Sequence, residues 1–137
     1  MLFGQEHIER YEATDGAEGH DWQGGTKTLI LTTTGRKSGE PRKAPLIYGE
    51  HDGTYLVVAS KGGAPEPPAW YVNLQADPSA TIQVWGERIP VTARDATPEE
   101  KPELWKIMTS EWPAYDEYQT KTDRQIPVVV LEPAAGA

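Results

Sequence analysis

Cysteine is absent from this chain, and its absence excludes disulfide bonds, thiolate catalysis and metal or iron–sulfur centres held by cysteine. The three histidines are scattered and form no His-Glu-x-x-His pattern, so we expect no metal site. Long apolar runs are missing too. No segment approaches about 18 apolar residues, and residues 1–25 lack the apolar stretch of a signal peptide. These absences predict a cytoplasmic protein that is at most peripheral to a membrane.

The motifs of several common enzyme classes are also missing. The sequence contains no Gly-x-Ser-x-Gly, no Ser-x-x-Lys, no Gly-x-x-x-x-Gly-Lys phosphate loop and no Gly-x-Gly-x-x-Gly after a strand. Hydrolase and nucleotidyl-transfer chemistry therefore have little support. A formal net charge of -8 argues against nucleic acid as a partner, because a polyanion would be repelled.

Length and composition predict one domain built from short strands. The 137 residues include 13 glycines and 12 prolines, which favours many turns, while five tryptophans and six tyrosines argue against disorder. We predict an acidic leader with one short helix at 1–25, a barrel domain at 26–133 and a tail at 134–137. The pattern of β-rich segments and turns predicts a mainly β or α+β fold, a closed or half-closed antiparallel barrel of six strands with a few helices. The predicted strands are 28–33, 44–51, 54–60, 80–85, 87–94 and 128–131, and the predicted helices after the leader are 68–75, 97–111 and 113–122.

A basic segment follows the first predicted strand. Four of the thirteen basic side chains of this acidic protein fall within eight positions, from Arg36 to Lys43, together with Ser38 and Gly39. Flexible backbone, hydroxyl groups and positive charge are what an anionic ligand needs in order to be cradled. The pattern predicts an anion-binding site, and a solvated hairpin connection is the alternative.

A second pattern follows the third predicted strand. It consists of a Ser-Lys-Gly-Gly turn and the helix after it, with these candidate residues: Ala59, Ser60, Lys61, Gly62, Trp70 and Asn73. In an antiparallel sheet this turn lies at the same end as the basic segment, so we expect Lys61 to share one polyanion with Lys37 and Arg42. An ordinary flexible turn, with Trp70 in the core, is the alternative.

The third pattern is an aromatic stripe. Trp112, Tyr115 and Tyr118 lie three positions apart, which places them within an arc of about 120° on a helix. Core packing would explain such a stripe, but tyrosine keeps a polar tip that suits the partly hydrated wall of a ligand site. An anion site beside aromatic side chains, without hydrolytic motifs, favours a phosphate-bearing aromatic cofactor such as a flavin-like molecule, which would supply the chemistry itself.

Three ordered motifs carry a resemblance to a known family. They are Thr-Thr-Gly-Arg-Lys-Ser-Gly-x-Pro-Arg, then Ala-Ser-Lys-Gly-Gly-Ala-x-x-x-Pro-x-Trp-Tyr-x-Asn-Leu, then Tyr-x-x-Tyr-Gln-x-x-Thr-x-Arg-x-Ile-Pro-Val-Val. On these motifs the chain resembles the deazaflavin-dependent nitroreductase family of actinobacteria, whose members use coenzyme F420. The resemblance covers residues 26–133 and implies a split β-barrel similar to that of the flavin-mononucleotide-binding oxidases.

The resemblance also implies roles for the candidate residues. The basic segment and Lys61 would hold the phosphate and the acidic glutamate tail of the coenzyme, Ser60 would approach its ring, and the two tyrosines would line the acceptor side. The implied catalytic residues are Tyr115, Tyr118 and Ser60. The implied cofactor-binding residues are Arg36, Lys37, Ser38, Gly39, Arg42, Ala59, Ser60, Lys61, Gly62, Trp70 and Asn73.

The implied activity is hydride transfer from the reduced coenzyme to an electron-poor small molecule: a conjugated enone or lactone, a quinone or a nitroaromatic. Trp112 stands where a nitroimidazole-reducing member has tyrosine, and Ile47 also replaces an aromatic residue, so reduction of nitroimidazoles stays open. A flavin-mononucleotide-dependent oxidoreductase on the same barrel and a non-catalytic coenzyme-binding protein are the alternatives. An exposed barrel edge would allow a homodimer.

Overall fold

The computed structural model describes residues 2–134, which form one antiparallel sheet with four α-helices around it. Its strands are β1 Thr28–Thr34, β2 Pro41–Ile47, β3 Gly49–His51, β4 Thr54–Val58, β5 Ser79–Val84, β6 Glu87–Asp95 and β7 Val128–Pro133. Its helices are α1 Gly4–Ala13, α2 Ala69–Ala76, α3 Lys101–Glu111 and α4 Ala114–Thr120, and short 3-10 turns lie at Gln23–Gly25 and Lys61–Gly63. The strand order in the sheet is β2-β1-β5-β6-β7-β4-β3.

The sheet curves into a half-barrel because one bent segment supplies both of its ends. β2 pairs with β1, whereas β3, which follows one residue later, pairs with β4. The bend lies at Tyr48, whose side chain is buried and whose N–H donates to the carbonyl of Lys27 at 3.0 Å. The predicted split barrel is confirmed. The described residues contain seven strands where six were predicted, because the predicted strand 44–51 changes its pairing partner at Tyr48.

Two hydrophobic clusters cover the two faces of the central strands. Successive side chains of a strand point to opposite faces. In β7, Val129 and Leu131 therefore pack with Val57 and the other strands, whereas Val128 and Val130 pack with the apolar residues of α3 and α4. All four positions of the run 128–131 are between 0 and 2 % exposed, which confirms the predicted fully buried final strand.

Some predicted elements end at other residues than expected. β2 begins at Pro41, so Arg42 and Lys43 lie on a strand, and the loop after β1 is shorter than the basic segment. The regular part of α3 begins at Lys101, after the predicted first helical residue, Pro98. The predicted capping box forms in the turn before it: the Thr97 hydroxyl accepts the N–H of Glu100 at 3.3 Å, and the Glu100 carboxylate accepts the N–H of Thr97 at 2.8 Å.

Helix α1 lies within the predicted leader and packs against the barrel. Its Ile8 and Tyr11 form a small buried cluster with Ile30 of β1. The Tyr11 hydroxyl donates to the carbonyl of Thr28 at 3.0 Å and accepts the N–H of Trp85 at 2.9 Å. The division into leader, barrel and tail stays a prediction, and residues 135–137 of the tail lie outside the described residues. Among residues 2–134, no helix has the length and apolar character needed to cross a membrane.

Candidate functional site

The loop between β1 and β2 is a tight connection that presents basic side chains. The N–H of Gly35 donates to the carbonyl of Glu40, and the N–H of Gly39 donates to that of Gly35, both at 2.8 Å. A Cβ at Gly35 would lie 2.6 Å from the Ser38 hydroxyl oxygen, so a larger residue would displace this hydroxyl. The Ser38 hydroxyl accepts the N–H of Glu40 at 3.1 Å and Nη2 of Arg42 at 3.3 Å. Ser38 therefore organises the loop and orients one of its cations.

Asn73 of α2 ties this loop to the helix. Its Oδ1 accepts the backbone N–H of Arg36 at 3.2 Å and Nη1 of the same arginine at 3.1 Å. Its Nδ2 donates to the hydroxyl of Thr33 in β1 at 3.1 Å. Asn73 is 4 % exposed, and its side-chain amide forms all three of these hydrogen bonds. Buried polar groups need such partners because water does not reach them. The asparagine that was predicted from its motif thus positions Arg36.

A cavity of about 440 Å³ lies between the loop and α2. Four cationic side chains line it, those of Arg36, Lys37, Arg42 and Lys43, together with Ser38 and Asn73. Its apolar lining comes from Ala44, Ala69 and Trp70, whose indole is 9 % exposed. A cluster of cations beside an aromatic surface fits a ligand that combines anionic groups with a planar ring system. The structure thereby brings six of the predicted cofactor-binding residues to one cavity and places Gly39 in its loop.

The Ser60–Gly63 turn lies outside the residues that line this cavity. Ser60 is buried, whereas Lys61 is exposed and forms an ion pair with Glu66 at 3.2 Å. A Cβ at Gly63, where φ is +86°, would lie 2.6 Å from the carbonyl oxygen of Tyr118, so the turn packs directly on α4. Lys61 does not line the cavity with Lys37 and Arg42, and its contact with the coenzyme stays a prediction.

Arg124 holds the same turn from the other side. Its Nη2 donates to the carbonyls of Ala59 and Ser60 at 3.2 and 2.9 Å, and its Nε donates to the carbonyl of Ala64 at 3.0 Å. The planar guanidinium can satisfy several carbonyls at fixed angles, which makes it a rigid clamp. Gln119 supports the segment in turn, because its Nε2 donates to the carbonyl of Arg124 at 2.8 Å. Both residues belong to the third motif, yet sequence reasoning assigned them no role.

The aromatic stripe contains one tyrosine in the hydrophobic core, Tyr115, and two partly exposed residues, Trp112 and Tyr118. Tyr115 is 5 % exposed and packs in the cluster beneath α3 and α4, and burial, followed by its neighbours Tyr118 and Glu111, raises the pKa of its phenol. Tyr118 is half-buried, and its hydroxyl accepts Nε1 of Trp112 at 3.3 Å. Since an indole can only donate, the Tyr118 hydroxyl keeps its own proton free for another acceptor. The phenol of Tyr118 is therefore oriented by Trp112 and able to donate, whereas the phenol of Tyr115 is buried in the core.

A second, smaller cavity of about 170 Å³ joins α1 to β2. Phe3, His7, Trp22 and Ile47 are among its lining residues. The Trp22 ring lies 5.9 Å from the ring of Trp112, centroid to centroid, so the segment after α1 contacts the aromatic stripe. Both positions that depart from the nitroimidazole-reducing pattern, Ile47 and Trp112, thus adjoin the N-terminal segment.

The comparisons with known proteins decide the family. A family model described as F420H(2)-dependent quinone reductase matches residues 3–133. The chain belongs to the F420H(2)-dependent quinone reductase family. An F420H(2)-dependent quinone reductase of Mycobacterium tuberculosis is 42% identical over 128 residues, covering 91% of this chain and 86% of that protein.

Solved structures of similar proteins agree with this family. A structure described as a domain-swapped dimer is 43% identical, with a TM-score of 0.75, and covers 93% of this chain and 92% of its own. A structure described as an F420-H2 dependent reductase (FDR-A) is 46% identical, with a TM-score of 0.71, and covers 77% of this chain and 93% of its own. The deazaflavin family inferred from the three motifs is therefore confirmed.

Membership of the F420H(2)-dependent quinone reductase family fixes the cofactor and the enzyme class. The protein is an oxidoreductase, and reduced coenzyme F420 is its hydride donor. These findings replace the flavin-mononucleotide alternative and the non-catalytic alternative.

Proposed function

We propose that this enzyme transfers a hydride from reduced coenzyme F420 to a quinone, and that the cavity between the β1–β2 loop and α2 holds the coenzyme. The observation that carries the proposal is the meeting of four cations and Trp70 in one cavity of about 440 Å³, in a protein whose net charge is -8. The quinone follows from the names of the family and of its mycobacterial relatives. Conjugated enones or lactones and nitroaromatics are the other acceptors that the chemistry would allow.

The residues of the cavity fit the coenzyme. Arg36, Lys37 and Arg42 would bind its phosphate and acidic tail, because ionised donors form the strongest hydrogen bonds to phosphate and carboxylate oxygens. Asn73 and Ser38 would keep two of these cations in place, since each already accepts a hydrogen bond from one of them. Trp70 would support the planar part. When bound, the reduced coenzyme supplies a hydride from a ring carbon.

The residues on the acceptor side would stabilise the negative charge that develops on the quinone oxygen. A donor aimed at that oxygen lowers the barrier, because the charge forms where the donor already points. We assign this role to the phenol of Tyr118, because Nε1 of Trp112 donates to its hydroxyl oxygen at 3.3 Å and leaves the phenol proton free. A phenol hydroxyl is both a donor and an acceptor, so it can accept from the indole and donate to the quinone oxygen. Ser60, on the turn that packs against α4, would contribute its hydroxyl or its backbone amide.

The proposal is tested by steady-state reduction of a soluble naphthoquinone, a cyclic enone and a nitroimidazole, following oxidation of the reduced coenzyme. We expect the naphthoquinone to give the highest kcat/KM. In Tyr118→Phe we expect kcat to fall about 10- to 150-fold, the effect of removing one hydrogen bond to a charged group, while the Kd for the coenzyme stays the same. Tyr71→Phe is the matched control, because the Tyr71 hydroxyl donates to Asp95 at 2.8 Å and Tyr71 does not line the cavity.

Two results would contradict the assignment. An enone or nitroimidazole preference would remove the quinone as acceptor, while the coenzyme site would stand. Full activity of Tyr118→Phe would remove the phenol as donor, and the buried Tyr115 would be tested next as Tyr115→Phe.

We also propose that the enzyme forms a homodimer. The similar structure described as a domain-swapped dimer supports this proposal. Light scattering coupled to size-exclusion chromatography should give twice the chain mass of 15.1 kDa, and a monomer at all concentrations would contradict it.

A further inference from the structure

One face of β2 connects the coenzyme cavity to the N-terminal helix. Lys43, Pro45 and Ile47 alternate along the strand and therefore share a face. α1 lies on that face in the opposite direction: Glu12 in its last turn contacts Lys43, whereas Phe3, just before its first residue, and His7 line the small cavity with Pro45 and Ile47. The helix thus spans the strand from the rim of the coenzyme cavity to the aromatic contacts of Trp22.

Lys43 contacts both the coenzyme cavity and helix α1. Its side chain lines the large cavity with the other cations, and its Nζ lies 2.6 Å from Oε2 of Glu12. The lysine side chain is 40% exposed and that of Glu12 is 25% exposed, so the pair lies at the protein surface and can reach solvent or a ligand. Lysine is a flexible point charge with three donors, which allows it to exchange one anionic partner for another without a change of backbone.

The partner of Lys43 differs in kind from those of its neighbours. Arg36 is held by the amide oxygen of Asn73, and Arg42 by the hydroxyl of Ser38, and both partners are neutral. Within residues 2–134, Lys43 is the one cation of this cavity that forms an ion pair with a carboxylate. Glu12, on the acidic helix α1, therefore neutralises one of the four positive charges that line the cavity.

We infer that Lys43 is a further anion-binding residue of the coenzyme site, and that Glu12 occupies it until a polyanionic ligand takes its place. This inference rests on the proposed coenzyme site. A phosphate or carboxylate of the coenzyme tail competes with Glu12 for the same ammonium group, so binding weakens the contact that fastens the end of α1 to β2. By thermodynamic reciprocity, a change at Glu12 that loosens this contact in the free protein and leaves Lys43 in place raises coenzyme affinity.

The test compares Glu12→Gln with Glu9→Gln, two variants with the same change of charge on the same helix. Glu9 is exposed and forms no ion pair in the described part of the chain, so it reports the long-range effect of one lost charge. Titrations with oxidised coenzyme F420 and with inorganic tripolyphosphate are followed by tryptophan fluorescence. We expect Glu12→Gln to lower the Kd about two- to fivefold, the range typical of an exposed ion pair, and Glu9→Gln to change it by less than about 1.5-fold.

Lys43→Gln completes a double-mutant cycle. We expect it to weaken binding of both probes, and to abolish the gain produced by Glu12→Gln, because residues that share one interaction are not additive. Equal affinities of Glu12→Gln and Glu9→Gln, additive effects in the cycle, or an unchanged Kd in Lys43→Gln would each overturn the inference.

The two probes separate this inference from the proposed function. If the wild-type protein binds tripolyphosphate but not the coenzyme, the proposed coenzyme site is wrong, and the cycle with tripolyphosphate still decides whether Glu12 and an anion compete for Lys43. If the wild-type protein binds neither probe, both proposals fall.

Discussion

Replacing Asn73 by alanine should separate the anchoring of the β1–β2 loop from the folding of the barrel. The side chain is 4 % exposed and takes part in three hydrogen bonds, two with Arg36 and one with Thr33. At about 0.5–1.5 kcal/mol each, their loss should lower the free energy of unfolding by about 1.5–4.5 kcal/mol. The hairpin bonds between Gly35 and Glu40 do not involve Asn73, so the loop should survive without its tether.

The effect on coenzyme binding follows from the lost tether. In the variant, Arg36 must be ordered when the ligand binds, and fixing one residue's backbone costs about 1–2 kcal/mol. We therefore expect the Kd for oxidised coenzyme F420 to rise about 5- to 30-fold. The assays are urea denaturation for stability and fluorescence titration for affinity, both carried out at a temperature where the variant is folded.

Gln75→Ala is the matched control for this prediction. Gln75 lies on the same helix and is exposed, so its removal should leave both stability and Kd close to those of the wild-type protein. A large loss of stability in Asn73→Ala with a Kd within twofold of the wild-type value would refute the reasoning. It would mean that Asn73 supports the barrel but does not prepare Arg36 for the ligand.

Three further predictions concern the cations, the buried phenols and the turn after β4. Arg42→Ala and Lys61→Ala should each weaken coenzyme binding by about 1.5–3 kcal/mol, the value of a charged hydrogen bond, and unchanged dissociation constants in both would remove the anion site. Burial, followed by the charge of Glu50, raises the pKa of Tyr48, so the unfolded chain should release this proton above about pH 10 while the folded chain keeps it, and stability should fall as the pH rises further. Urea denaturation at about pH 8 and about pH 10.5 should show a smaller decline in Tyr48→Phe than in the wild-type protein, and an equal decline would be contrary to this assignment. Gly63→Ala should lower the Tm more than Gly62→Ala. Both residues have positive φ, but only at Gly63 would the new Cβ meet a backbone oxygen, at 2.6 Å. Equal losses of Tm would show that backbone strain alone accounts for the loss of stability.

The sequence predicted those features that depend on neighbouring residues. Alternation and turn residues gave the barrel class, and the apolar run 128–131 gave a strand buried on both faces. The second predicted strand was wrong in one respect, since a local pattern does not reveal that Tyr48 is the residue where the chain changes from pairing with β1 to pairing with β4. Pairing partners are set by the curvature of the whole sheet, which no short window contains.

The candidate site shows the same division. The concentration of cations, the motif with Trp70 and Asn73 and the family to which the chain belongs could all be recognised from the order of residues alone. Only the tertiary structure decided which of these residues meet: Asn73 reaches Arg36 across 37 positions of the chain, and Arg124 reaches Ala64 across 60. It also placed Lys61 against Glu66 and Lys43 against Glu12. The sequence determines the charge and size of each residue. The contacts of that residue depend on which helices and strands pack together, and this packing depends on the burial of the whole hydrophobic core.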